Sequence, residues 1–318
     1  MEYAQAAWKA IKMGAVGSLI YYILHSLSKQ FFPSRMRRYH HGEPGSTWAL
    51  VTGGSDGIGR GFVDNLLAQG FNVLIHGRNS EKLDRIQTEL SSHYPNLSIR
   101  TVVSDASATT PDIDAITAAV TSLPGPLTIL INNVGGTPPG SDFSTVDSQS
   151  QSYIDSLISM NLRFPTQLTR ALLPILKTNN PSLIINIGSV AGELPMPYVT
   201  TYGACKSFNN HFSRALKAEM RAEGLAEHVE VLGVLVAKVI SASTKENPVD
   251  WFTATSDQLA KAALAKVGCG KPLVWAWWRH WVQSLALAVV PEALLERILV
   301  GVMSEQREDE RKRQAKTK

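Results

Sequence analysis

The sequence predicts a doubly wound α/β fold, a parallel sheet covered by helices on both faces. Six apolar runs of strand length recur along the middle of the chain: Trp48–Thr52, Phe71–Ile75, Ile99–Val103, Leu127–Ile131, Leu183–Ile187 and Val229–Val236. Strands this continuously apolar are buried on both faces, which is the habit of parallel sheets. Between them apolar residues repeat at helical spacing, as in Ile58, Phe62 and Leu66 or Phe208, Phe212 and Leu216. Strictly alternating strands and helices wind a sheet on both sides.

Composition narrows the function. Of 318 residues, 44% are hydrophobic and 18% charged, enough for one large core. The formal net charge of +4 lies mostly at the two ends, and no basic stripe interleaved with aromatics suggests nucleic acid. The two cysteines, Cys205 and Cys269, form no disulfide framework, and no Cys/His spacing suggests a metal. Cys205 reads as a packing residue. Three regions are expected: an N-terminal anchor and basic linker over 1–45, a catalytic domain over 46–268, and a Trp-rich apolar segment with a charged tail over 269–318.

The first run ends in Thr52-Gly53-Gly54-Ser55-Asp56-Gly57-Ile58-Gly59, and a helix follows. Glycines there let the backbone turn sharply and approach a pyrophosphate with no Cβ in the way. The helix N-terminus then offers free N–H groups and its positive dipole end to the phosphates. The second run ends in His76-Gly77-Arg78-Asn79, with no carboxylate to bind a ribose hydroxyl pair. Arg78 can grip a 2′-phosphate with two prongs, with help from Arg60. The expected cofactor is therefore NADPH (NADP+) and not NAD(H).

Tyr202 and Lys206 stand four apart, on one face of a helix. A free phenol titrates near pH ~10, too high for efficient proton exchange at neutral pH. A neighbouring ammonium favours the phenolate and lowers that value. Ser189 follows the fifth run, at the carboxyl end where such sheets bind ligands, and its hydroxyl could hold a substrate carbonyl. Asn161 could join a water relay to Lys206. Asn132-Asn133-Val134-Gly135 ends the fourth run, where the backbone passes close to an adenosine.

Thr-Gly-x-x-x-Gly-Ile-Gly, Asn-Asn-Val-Gly, Asn161, Ser189 and Tyr-x-x-x-Lys, in this order, resemble the short-chain dehydrogenase/reductase family over about residues 46–240. The resemblance implies a Rossmann-type fold and an oxidoreductase. It implies Tyr202 as general acid/base, Lys206 and Ser189 as its partners, and Asn161 as relay. It assigns Thr52, Gly53, Ser55, Asp56, Gly57, Ile58, Gly59, Arg78, Asp105, Asn133, Tyr202 and Lys206 to the cofactor. The Asn-Asn-Val-Gly valine, the Ser-Asp-Gly-Ile-Gly turn, Arg78 and an apolar N-terminus resemble the endoplasmic-reticulum very-long-chain 3-oxoacyl-CoA reductases, grouped with the 17β-hydroxysteroid dehydrogenase type 12-like proteins. That implies reduction of an acyl-CoA ketone in fatty acid elongation. A steroid or specialised-metabolite ketone is the alternative, and a cofactor-binding scaffold without turnover the second. One departure stands out: no proline follows the sixth run, which reads Val236-Ala237-Lys238-Val239-Ile240.

Met13–Leu27 is apolar but shorter than the ~20 residues of a full span. Lys9 and Lys12 could snorkel to extend it, and Lys29, Arg35, Arg37 and Arg38 would hold the catalytic domain in the cytosol. The expectation is an anchor in the endoplasmic-reticulum membrane. Trp275, Trp277, Trp278 and Trp281 crowd residues 272–290, which suits a membrane interface, a lid over the substrate, or the face of a homodimer.

Overall fold

The structure is a computed structural model, and it describes residues 33–138, 143–240 and 249–317, together with residues 5, 8, 9, 12–14, 16–18 and 21. The first strand, β1 (Trp48–Thr52), is buried along its length. Side chains alternate across a strand, so Trp48 and Leu50 enter one core and Ala49 and Val51 the other. The helices that follow close those two cores. They are α1 (Gly57–Ala68), α2 (Ser80–His93), α3 (Ile113–Thr121), α4 (Gln151–Ile158), α5 (Phe164–Thr178) and α6 (Thr200–Ala222). Between them run β2 (Asn72–Gly77), β3 (Ile99–Val103), β4 (Leu127–Asn132), β5 (Ser182–Ile187) and β6 (Val229–Leu235). Beyond lie α7 (Ser256–Ala265), β7 (Leu273–Trp275), α8 (Trp278–Ala288) and α9 (Glu292–Thr317).

The seven strands lie in the order β3-β2-β1-β4-β5-β6-β7, all parallel. Phe62, Leu66, Leu83 and Leu259 fill the core on one face, from α1, α2 and α7. Ile116, Leu168, Leu172 and Leu216 fill the other, from α3, α5 and α6. Helix starts are marked by side-chain caps: Asn79 accepts from the Lys82 N–H, Asp112 from Ala115, and Thr255 makes a capping box with Gln258. The strand order reverses between β1 and β4, and ligands of such sheets sit at that switch point, beyond the carboxyl ends of the strands.

The six expected strands are present with ends shifted by at most two residues, as in Asn72–Gly77 for the run Phe71–Ile75. The sheet also takes in Leu273–Trp275, from the stretch assigned by sequence to the C-terminal extension. Three residues among tryptophans carry too little alternation to be read as a strand. The sheet therefore extends past residue 268. Most of Met13–Leu27 lies outside the described residues. Among the described residues, no helix is long and apolar enough to cross a membrane.

Candidate active site

The carboxyl ends of β1 to β6 surround a cleft of 550 Å³. It is lined by Gly53, Ser55, Asp56, Gly57 and Ile58 after β1, by Arg78 after β2 and by Asp105 after β3. Asn133 and Gly135 after β4, Ser189 after β5, and Tyr202 and Lys206 from α6 complete the parts named by sequence. Thr52 and Gly59 are not among the lining residues; they build the loop from behind. The fully buried Thr52 hydroxyl donates to the Ile131 carbonyl (3.1 Å) and accepts from the N–H groups of Asn133 (2.9 Å) and Val134 (3.0 Å). It thus staples the ends of β1 and β4 together. A Cβ on Gly59 would stand 2.1 Å from the Gly53 carbonyl oxygen, so only glycine lets the helix start pack under the loop.

His76, unassigned by sequence, holds the same loop from the side. Its Nδ1 accepts from the Gly53 N–H (3.4 Å), its Nε2 donates to the Ser104 carbonyl (3.0 Å), and its ring stacks on Phe164 with centroids 5.0 Å apart. Burial pushes the imidazole down to about 4, so it is neutral at pH 7 and can accept and donate at once. A polar residue inside an otherwise apolar strand was the available signal.

Arg78 is exposed at the rim of the cleft. Lys82, four residues on, lies 2.5 Å from Asp56 Oδ2, and the other Asp56 oxygen accepts from the Gly57 N–H at 2.6 Å. The loop's carboxylate is thereby neutralised beside Arg78, which favours an anion there. Arg60 is not among the residues lining the cleft: it pairs with Asp64 (2.8 Å) and Glu89 (2.7 Å). Asp105 closes its own turn, accepting from the Ser107 N–H (2.9 Å) and hydroxyl (2.7 Å). Against the opposing effect of burial, those bonds and the Arg78 charge hold its carboxyl below the usual range. Glycine approach, a helix start capped by Asp56, a paired carboxylate and a cationic rim fit a phosphorylated dinucleotide. Among the described residues no cluster could hold a metal ion.

At the other end of the cleft Ser189 and the Tyr202 phenol line the same wall. Burial raises the phenol's pKa, while the Ser189 hydroxyl beside it pulls it down. In place of the net fall expected beside an ammonium, desolvation of the tyrosine dominates. Lys206 is 3% exposed, donates to the Ile187 carbonyl (3.1 Å) and sits 5.8 Å from the tyrosine ring centroid. Its burial draws the ammonium down to about 8, so it still carries charge at neutral pH. Cys205 is buried between them, and burial pushes its thiol up, as suits a packing residue.

Asn161 stands behind the cleft in a π-helical turn, Ser159–Arg163, that joins α4 to α5. Such turns often mark functional sites. Its amide clamps Gly136 from both sides, accepting from the N–H (2.9 Å) and donating to the carbonyl (2.8 Å). A Cβ on Gly135 would lie 2.7 Å from Lys206 Nζ and 2.9 Å from Asn161 Oδ1, so both groups converge on that bare backbone.

Buried amides hold α6 to the sheet. Asn132 donates to Thr169 and to Asn186, both at 2.9 Å, and Asn186 donates to the Ser213 hydroxyl of α6 at 3.0 Å. Asn210, one turn beyond Lys206, donates to the Ser189 carbonyl (3.0 Å) and to Glu193 Oε1 (2.9 Å). Asn210 carries no motif, and the available signal is that two adjacent asparagines inside a helix are costly enough to ask for a reason. Where the proline was missing after β6, Val236 and Ala237 still line the cleft. Lys238 pairs with Asp250 at 2.8 Å, and Val239–Ile240 forms a short parallel ladder with Ala254–Thr255. Residues 241–248, where a nicotinamide contact would follow, lie outside the described residues.

The fold and the cleft together define a dinucleotide-dependent oxidoreductase domain. The chain belongs to the short-chain dehydrogenase/reductase family, whose model, described as short chain dehydrogenase, matches residues 47–248. It is similar to the very-long-chain 3-oxoacyl-CoA reductase of Neurospora crassa, 30% identical over 286 residues, or 88% of this chain and 83% of that one. The Podospora anserina protein of the same name is 31% identical over 301 residues, 88% of this chain and 85% of its own. A solved serine dehydrogenase complexed with NADP+ is 27% identical, with a TM-score of 0.57 over 68% of this chain and 86% of its own. A short-chain dehydrogenase from Sphingobium yanoikuyae in complex with NADPH shares the fold, with 24% identity and a TM-score of 0.62 over 78% of this chain and 97% of its own.

Proposed function

We propose that the chain uses NADPH to reduce the 3-ketone of a very-long-chain 3-oxoacyl-CoA to the 3-hydroxyacyl-CoA. One observation carries the reductase chemistry: Ser189, Tyr202 and Lys206 face the same cleft whose rim carries Arg78. The names of the relatives supply the substrate class. Gly53, Ser55, Gly57 and Ile58 would hold the pyrophosphate, Arg78 and Lys82 the 2′-phosphate, and Asp105 and Asn133 would border the adenosine. Bound NADPH supplies the hydride. Ser189 steadies the ketone oxygen through its hydroxyl, and Tyr202 gives that oxygen its phenolic proton. The Lys206 ammonium stabilises the phenolate left behind, and Asn161 orders the backbone and water that return a proton.

This reading puts the enzyme at the endoplasmic-reticulum membrane, its catalytic domain in the cytosol. Its support is in the sequence: the apolar Met13–Leu27, the basic residues after it, and the poor water solubility of such acyl chains. The chain is expected to pellet with membranes through a high-salt wash, since screening hardly touches apolar burial.

A ketone panel followed by NADPH absorbance, with the purified chain in detergent, tests the substrate. The panel holds 3-oxoacyl-CoAs of rising length, a steroid ketone and a small aryl ketone. Turnover per enzyme should rise with acyl length. A preference for the steroid or aryl ketone would replace the substrate while keeping the chemistry, and no turnover on any ketone would leave a cofactor-binding scaffold.

A further inference from the structure

Among the described residues Tyr198 is the one residue other than glycine with a positive φ, +67°. For a bulky side chain that is an outlier, and it persists only where the surroundings over-determine it. Strain of this kind gathers at working sites. Tyr198 stands in the loop between Ser189 and Tyr202, just ahead of the helix that carries the phenol.

That helix, α6, has Val199 at its N-cap position, and no side chain caps it. A helix start without a cap is poorly fixed by its own residues. Here it is fixed from outside. The Thr201 hydroxyl donates to Gln149 Oε1 at 2.7 Å, and the Tyr198 carbonyl accepts from the Ser144 N–H at 3.0 Å. Both ties run to the segment that leads into α4. The Tyr198 side chain is held from a third direction, by α9. Its phenol and the Ser304 hydroxyl share a hydrogen bond at 3.4 Å, and the Arg307 guanidinium carbon lies 4.4 Å from its ring centroid. Leu299 and Met303 are buried and share the Arg307 face of α9 at four-residue spacing, so the helix is docked where it makes these contacts. The charged tail of the sequence thus reaches back to the start of the catalytic helix.

We propose that Ser304 and Arg307 are positioning residues for the proton donor. They hold Tyr198 in its strained conformation, and the strained Tyr198 sets where α6 begins and so where the Tyr202 phenol stands. Released, Tyr198 would relax toward negative φ and shift the first turn of α6 with it. The inference rests on Tyr202 as the donor in ketone reduction.

The test uses the full chain in detergent, saturated with NADPH, and the best ketone of the panel. Arg307→Ala should lower kcat about two- to fivefold, the scale of one cation–π contact, with NADPH affinity unchanged. Arg307→Lys, which keeps a cation for the ring, should recover most of that loss. Glycine adopts positive φ at no steric cost. Tyr198→Gly should therefore keep more activity than Tyr198→Ala, and adding Arg307→Ala to Tyr198→Gly should cost nothing further. Amide hydrogen exchange over residues 198–204 is measured alongside, and Arg307→Ala should speed it. The proposal falls if Arg307→Ala leaves that exchange unchanged or keeps the wild-type kcat. It also falls if Arg307→Lys is no better than Arg307→Ala, or if Arg307→Ala costs as much in the Tyr198→Gly chain as in the wild type. Should the wild-type chain turn over no ketone, the proposed function fails on its own account, and the exchange comparison alone decides whether α9 holds the start of α6.

Discussion

Asn210 grips the backbone of Ser189 at both ends: its Nδ2 donates to the Ser189 carbonyl at 3.0 Å and its Oδ1 accepts from the Ser189 N–H at 3.4 Å. The serine that faces the Tyr202 phenol is thereby set by the same helix that carries Tyr202. Asn210→Ala would leave the buried Ser189 N–H without a partner, at a cost of about 1–3 kcal/mol, and would strip one of two bonds from the Ser189 carbonyl, which keeps the Gly192 N–H at 3.1 Å. The expected result is a fall in kcat of roughly tenfold or more, with little change in NADPH affinity. An equal loss in both would mean that Asn210 only supports the fold.

Tyr202→Phe keeps the ring and deletes the proton. Turnover should drop by roughly 10²-fold or more, the usual contribution of a positioned acid. NADPH binding, read by its fluorescence, should persist. Near-normal turnover in this variant is incompatible with the proposed proton donor.

Arg78→Ala should weaken NADPH by roughly tenfold to more than a hundredfold and NADH far less, because one charge-assisted contact contributes about 1.5–3 kcal/mol. Lys82→Ala should act in the same direction more weakly, since Lys82 also neutralises Asp56 at 2.5 Å. Equal losses for both cofactors would show that Arg78 does not read the 2′-phosphate.

His76 ties stability to pH. Its folded value is about 4 against an ordinary 6.5, so between those values the unfolded chain binds the extra proton. Stability contributed above pH 6.5 is therefore lost as pH falls toward 4, by up to roughly 3 kcal/mol. Denaturant midpoints measured from pH 7 to pH 4 should fall, and His76→Asn should flatten that part of the curve. An unchanged slope in the variant would place the acid sensitivity elsewhere.

Much of this site could be read before any coordinates, for a physical reason. The strand Trp48–Thr52 is buried on both faces, so its residues are all apolar up to the turn, and that is visible in one line of sequence. Tyr202 and Lys206 are joined by helical spacing, another local quantity. Thr52 and Asn161 were placed at the cofactor or relay by motif, but the structure shows them working through backbone at 2.8–3.1 Å, a role that spacing does not encode. His76 and Asn210 escaped notice because their partners, Gly53 and Ser189, are 23 and 21 residues away in the chain. Leu273–Trp275 escaped because a strand of three residues at the sheet edge leaves no period to count.

The π turn at Ser159–Arg163 makes this stretch sensitive to length more than to composition. It holds one residue more than an α-helix would, and each helical residue advances the face by about 100°. A substitution there alters one contact. Deleting a single residue would let α4 and α5 fuse into one continuous helix, and with Phe164, Leu168 and Leu172 fixed in the core the preceding turn would rotate as a unit. Asn161 would swing away from Gly136, and a neighbour without an amide in the right place would face it. Insertions and deletions in this family member are thus expected to be tolerated in the surface connections and excluded from these five residues, where phase and not side-chain identity is what must be inherited.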